Sequence, residues 1–258
     1  ESREKLDEAL SVITRLLNGE WVTEKSSWYN LQDAHSHLLP CGDHLEICVA
    51  SLFSPNGGKL AAKYEAGMLC LASTSPDGFD TLAVNWQIAC EASAKLGRSM
   101  NPSGMRCATD MHIAETRDQA MDQVREGYLI NQKYFINQSG HLPNTGVDVT
   151  LEGLIEKGEI VVGTPDDAVE QIRRLEEKIP GFGCLLLFDK NWARTEHKKQ
   201  SLEMMMRYVL PEINGDNVNR LKSFDWQHEN REPFFGALME GTQRAFEKYA
   251  KEAEENEK

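Results

Sequence analysis

Residues 160–211 constrain the fold more than any other part of the chain. They open on Ile160-Val161-Val162-Gly163, a short apolar run of strand length, and pass through Thr164-Pro165-Asp166-Asp167 into helical periodicity that ends near Ile179. A second apolar strand, Cys184-Leu185-Leu186-Leu187-Phe188, leads to another helix closing on Tyr208-Val209-Leu210-Pro211. Capped helix, buried strand and helix in that order form the closing unit of a parallel α/β barrel, because parallel strands need a crossover of helical length between them.

Upstream the alternation repeats. Leu6, Ala9, Leu10, Ile13, Leu16 and Leu17 fall at helical spacing, and Asn18-Gly19 stops them. Strands are predicted at residues 47–50, 68–72 and 106–113, and helices at 55–64, 79–96 and 117–135. Residues 136–159 turn polar and Gly-rich and read as a lid or excursion, whereas 232–258 read as a C-terminal helix with an acidic tail. The fold class is α/β, a (β/α)8 TIM-barrel pattern of which about four βα units are present. A closed barrel needs eight units in roughly 250 residues without long insertions. The expectation is therefore an incomplete barrel, with 1–258 as the C-terminal part of one longer domain.

Composition narrows the function. The chain has 41 acidic and 28 basic residues, a net charge of −13, which opposes binding to a phosphate backbone. No apolar run reaches the ~20 residues that span a bilayer, and Glu1-Ser2-Arg3-Glu4-Lys5 is no signal peptide, so a cytoplasmic protein is expected. Six cysteines without a Cys-x-x-Cys pair read as buried free thiols, and Met204-Met205-Met206 reads as core filler.

Three segments place a hydroxyl before proline at a helix start: Ser54-Pro55, Ser75-Pro76 and Thr164-Pro165. The charge of the first turn separates them, since a helix N-terminus carries about half a positive charge. Asp166 and Asp167 neutralise the third, and Asp77 follows the second. After Ser54-Pro55-Asn56-Gly57-Gly58 no acid comes before Glu65, and Lys59 lies close by. That segment is either an ordinary capped turn or a phosphate-ready helix start at the carboxyl end of a strand. His112, at the end of the third strand, is either a satisfied polar residue or a base; Trp192, beyond the last strand, packs in the core or lines an apolar substrate pocket. His35, His37, Cys41 and His44 have a metal-ligand look, but nothing completes a tetrahedral set, and no metal is expected.

Several segments together resemble one family. Residues 8–17 with Val22-Thr23 and Trp28-Tyr29-Asn30-Leu31, the run Val49-Ala50-Ser51 with Ser54-Pro55, residues 60–64, Met111-His112-Ile113-Ala114-Glu115-Thr116 and residues 162–211 are similar to the bacterial-luciferase-like flavin-dependent monooxygenases. Phe224-Asp225-Trp226 and Glu229-Asn230-Arg231 bring the wording nearest to limonene-monooxygenase-type members. The resemblance implies a barrel that uses reduced FMN and molecular oxygen to hydroxylate or epoxidise a small apolar, limonene-like substrate. An NAD(P)H:flavin reductase would supply the flavin, and a homodimer is the assembly to be tested. Carried over by position, Ser54, Asn56 and Gly57 would hold the phosphate, with Ser51 at the strand end and Gly58 giving backbone access; His112 and Trp192 become the candidate substrate-pocket residues. Glu65 departs from the family's usual Gly, and no residue matches the family's catalytic histidine, so the catalytic residues stay unassigned. Two alternatives are a deazaflavin-dependent oxidoreductase of the same fold, and a non-catalytic partial barrel that binds flavin or a partner.

Overall fold

The computed structural model, which describes residues 2–42, 45–51, 54–139 and 150–256, turns the alternating sequence into alternating elements. Helix α1 (Ser2–Leu17) leads into an antiparallel hairpin of β1 (Val22–Lys25) and β2 (Asn30–Ala34). Then come β3 (Cys48–Ala50), α2 (Asn56–Lys63), β4 (Gly67–Cys70), α3 (Pro76–Lys95), β5 (Met105–Ile113) and α4 (Arg117–Ser139). A short α5 (Leu151–Glu156) precedes β6 (Ile160–Gly163), α6 (Pro165–Lys178), β7 (Cys184–Leu187) and α7 (Thr195–Met204). A π-helical turn, Met205–Val209, ends this first compact unit, Glu1–Val209. The second unit, Leu210–Lys258, holds α8 (Leu210–Asn214), α9 (Val218–Glu229) and α10 (Arg231–Asn256), where Trp226 meets Phe234 edge-on at 5.5 Å.

β3, β4 and β5 pair in parallel. β5 is the hub: residues 106–109 also pair with β7, and residues 110–113 pair with β6. Strand alternation sends Val49, Met68, Cys70, Met105 and Cys107 to one face, where they pack on Leu60 and Ala61 of α2, Leu82 and Ala89 of α3, and Leu175 of α6. Burial of each large apolar side chain is worth about 1.5–3 kcal/mol, so this face carries much of the fold's stability. The same burial drives the Cys107 thiol up to about 12. A second cluster joins Ala120, Val124 and Tyr128 of α4 to Ile160 and Val162 of β6, with Leu151 and Trp192. Leu186 and Phe188, on the opposite face of β7, remain 37% and 40% exposed.

Asp167 anchors the start of α6. It accepts from the Thr164 amide at 2.8 Å and the Thr164 hydroxyl at 3.0 Å, while Arg117 donates to both its oxygens. Thr164-Pro165 is thus the self-neutralised cap that Asp166 and Asp167 predicted. The Arg117 guanidinium, reinforced by Thr164, holds the Asp167 carboxyl down to about 2. Arg117 is 72% exposed, which screens that pair, so the expected loss for Asp167→Ala is about 1 kcal/mol at pH 7, mostly from the cap. Because the folded-state pKa lies below the unfolded one, this contribution is full above pH ~4 and disappears as pH falls through about 2. Urea unfolding of both proteins at pH 7 and again near pH 2 checks it: the difference in midpoint should shrink in acid.

Several expectations change. Of the proposed excursion at 136–159, residues 136–139 continue α4, because neither glycine nor proline occurs between Tyr128 and Ser139. Its end at 151–156 is α5, capped by the Thr150 hydroxyl and burying Leu151; residues 140–149 lie outside the described residues. Met206 is 63% exposed and Met204 and Met205 are half-buried rather than core, since three consecutive helical residues span about 200° and cannot share one buried face. Cys41 is exposed, and Cys48, Cys90 and Cys184 are half-buried, leaving only Cys70 and Cys107 as buried thiols. Glu65 adopts φ +54°, the left-handed conformation its departure from Gly made suspect, at a cost of roughly 1–2 kcal/mol.

Candidate active site

The predicted site residues gather at the carboxyl edge of the parallel sheet. Ser51 directly follows β3, is 4% exposed, and its amide extends the ladder to the Leu69 carbonyl at 2.8 Å. Ser54 does not cap α2. Pro55 occupies the N-cap position with φ −67° and ψ −9°, already helical, so the Ser54 side chain falls one residue too early and no side chain caps the helix. The first turn is then Asn56, Gly57 and Gly58, whose N–H groups have no intrahelical acceptor and no acidic neighbour in the turn. That chemistry fits an anion.

The two glycines serve packing first. A Cβ on Gly57 would stand 2.6 Å from the Ser51 Cβ, and one on Gly58 would stand 2.9 Å from the Asn85 carbonyl of α3. Glycine therefore lets α2 press against both β3 and α3. The backbone access assigned to Gly58 is a close approach to α3, with its amide left in the first turn.

His112 and Trp192, predicted separately, line one cavity of about 200 Å³ at the carboxyl ends of β5 and β7. Met111, Leu187, Phe188, Ala193 and Leu202 supply its apolar wall, and Asp189, Lys190, Lys198 and Ser201 its polar side. His112 is 5% exposed, and its Nε2 lies 2.7 Å from Gln123 Oε1. Burial pushes the imidazole below its ordinary range; the bond to Gln123 opposes this and nearby His197 adds to it. The ring is neutral at pH 7, and with Gln123 as acceptor it carries its proton on Nε2 and offers Nδ1 as a base. Trp192 packs edge-on against Tyr128 at 5.6 Å and is 9% exposed, so it belongs to core and cavity wall at once.

An ion pair went unpredicted here. Lys190 Nζ donates to Asp110 Oδ2 at 2.7 Å, with the ammonium 5.4 Å from the Phe188 ring and 5.6 Å from the Trp192 ring. Burial raises the Asp110 carboxyl pKa, and Lys190 offsets part of that rise. Lys198 clamps Asp189 at 2.8 Å and Asn191 at 2.8 Å, holding the loop after β7. Among the described residues, Asp110 Oδ1, Trp192 Nε1 and His197 Nδ1 are buried without a hydrogen-bond partner. Such atoms cost roughly 1–3 kcal/mol each; Trp192 lines the cavity, and Asp110 and His197 are chain neighbours of its lining residues Met111 and Lys198, which makes it the candidate site. Eighty residues separate Asp110 from Lys190, and only their shared position at strand ends could have linked them in the sequence.

Trp21 stacks on His35 at 4.4 Å, Cys41 is exposed, and His44 lies outside the described residues. No group of metal-ligating side chains occurs among the described residues.

α2 and the cavity share the sheet's carboxyl edge, two strand spacings apart from β3 to β5, or roughly 10 Å. Known proteins share sequence and fold with this chain. Limonene 1,2-monooxygenase of Rhodococcus erythropolis is 39% identical over 251 residues, 96% of this chain and 65% of its own length. 4-Hydroxyprotoasukamycin monooxygenase of Streptomyces nodosus subsp. asukaensis is 33% identical over 236 residues, 89% and 64% respectively. The chain thus spans a little under two thirds of these curated relatives. Two solved structures show the fold: monooxygenase RslO1 of Streptomyces bottropensis, with TM-score 0.67 and 17% identity over 83% of this chain and 62% of its own, and the oxygenating constituent of 3,6-diketocamphane monooxygenase of Pseudomonas putida in complex with FMN, with TM-score 0.60 and 24% identity over 79% and 62%. The family described as luciferase-like monooxygenase matches residues 1–180, and with the parallel sheet and its loaded carboxyl edge this means that the chain belongs to the luciferase-like monooxygenase family.

Proposed function

We propose that this chain carries the phosphate-binding and substrate-facing parts of a monooxygenase that uses reduced FMN and molecular oxygen to oxygenate a small, largely apolar molecule such as limonene. The observation that carries the reading is the pairing, on one sheet edge, of an acid-free, uncapped helix start with a small mixed cavity. In this reading the amides of Asn56, Gly57 and Gly58 hold the flavin phosphate, and Ser51 and Ser54 shape the turn before them. When bound, the reduced flavin supplies the electrons that activate oxygen, which no side chain here can do. The protein's residues orient and enclose. Trp192, Phe188, Leu187 and Met111 exclude water from the substrate, and His112 Nδ1 stands ready to accept a proton at the cavity wall. A cavity of about 200 Å³ suits a compact substrate, since drug-sized ligands occupy ~300–1,000 Å³. A separate NAD(P)H:flavin reductase delivers the cofactor.

Isotope labelling tests the reaction class. With reduced FMN, limonene and labelled oxygen gas, the whole protein should yield an oxygenated product carrying one labelled oxygen atom. Turnover with a deazaflavin and no oxygen uptake would contradict the monooxygenase reading, as would flavin binding without any product.

A further inference from the structure

We propose that one ridge of α4, made of Gln123, Gly127 and Asn131, sets the distance between the two walls of the cavity and so limits the size of the molecule admitted. The inference rests on the reading of that cavity as the substrate pocket. These residues recur every four positions, so they stack one turn apart on a single helix face. Each meets a different part of the cavity frame. Gln123 fixes the His112 ring at 2.7 Å. Gly127 receives the loop after β7: a Cβ there would lie 2.0 Å from the Trp192 carbonyl oxygen and 2.7 Å from its Cα. Asn131 Nδ2 donates to the Lys190 carbonyl at 3.4 Å.

α4 can act as a gauge because it is itself held fast beside the ridge. Ala120 and Val124 are fully buried in the cluster around β6, and Arg125 pairs with Glu152 of α5 at 2.8 Å. Both walls are therefore referred to one rigid element: His112 on β5 through Gln123, and the loop carrying Lys190 and Trp192 through Gly127 and Asn131. Any side chain at position 127 forces that loop back by roughly 1.5 Å to regain ordinary contact. A shift of that size moves Trp192 relative to His112, whereas the α2 first turn follows β3, two strands away from β5. These are positioning residues: they touch the pocket's walls and shape it through them.

The test uses the whole protein and two probes, limonene and FMN, with the Trp192 emission obtained as the difference between the protein and Trp192→Phe. In the unaltered protein, limonene should quench the Trp192 emission. Gly127→Ala should shift that emission to the red and weaken limonene binding about tenfold, with FMN affinity unchanged; Asn131→Ala, which adds no bulk and keeps α4 intact, should move both readouts in the same direction by a smaller factor. If Gly127→Ala does not fold, Asn131→Ala decides. Emission and limonene affinity unchanged in a folded variant overturn the ridge and leave the pocket standing. Loss of limonene and FMN binding together in Asn131→Ala also overturns it, since that marks general disruption. An unaltered protein whose Trp192 emission ignores limonene overturns the pocket, and the ridge with it.

Discussion

Replacing Lys190 with Met is expected to lower the unfolding free energy by about 2–3 kcal/mol at neutral pH, the cost of leaving a buried carboxylate without its cation. Asp110 is 13% exposed at its side chain, and its Oδ1 already lacks a partner, so no other described group stands in for the ammonium. The sign of the pH dependence follows from the direction of the shift. Burial raises the folded-state pKa of Asp110 above its unfolded value, and losing Lys190 raises it further. The variant's penalty therefore grows as pH rises through that folded pKa and fades in acid, where the carboxyl is protonated. Lys190→Met combined with Asp110→Asn should recover most of the loss. Chemical denaturation of the four proteins of this cycle at neutral pH measures the coupling, and a double variant no more stable than Lys190→Met would show that Asp110 is not the group left stranded.

Asn56→Asp is expected to raise stability and weaken FMN binding at the same time. A carboxylate in the first turn of α2 meets the positive end of the helix and should add about 0.3–1 kcal/mol, as Asp167 does for α6. The same charge confronts the flavin phosphate, and FMN affinity should fall at least tenfold, or about 1.4 kcal/mol. Opposite signs matter because a substitution that merely damaged the turn would lower both. Ser54→Asp should show a weaker version, since Pro55 separates Ser54 from the first turn.

How much of this was legible depended on distance along the chain. The caps at Ser75-Pro76 and Thr164-Pro165 are complete within four residues, and both form: Gly78 donates to the Ser75 hydroxyl at 3.3 Å, and Asp167 closes on Thr164. Ser54-Pro55 has the same wording but a different outcome, because Pro55 is itself helical and shifts the register by one. His112 and Trp192 were readable as strand-end residues, and their convergence follows from β5 and β7 being neighbours. Gly127 was not readable, since a glycine inside a helix looks like a weak point until the Trp192 carbonyl is seen lying against it. The exposed aromatics of α10, such as Phe246 and Tyr249, showed only a helical period, which fixes a face and not what that face meets.

The central claim is that the first turn of α2 holds the phosphate of FMN, and comparison of FMN with riboflavin tests it most directly. Titrating each flavin against the unaltered protein and against Asn56→Asp separates the phosphate from the ring. The account predicts at least a tenfold preference for FMN in the unaltered protein and the loss of that preference in Asn56→Asp, with riboflavin affinity the same in both. Equal affinity of the unaltered protein for FMN and riboflavin, or an FMN preference that survives Asn56→Asp, would contradict it.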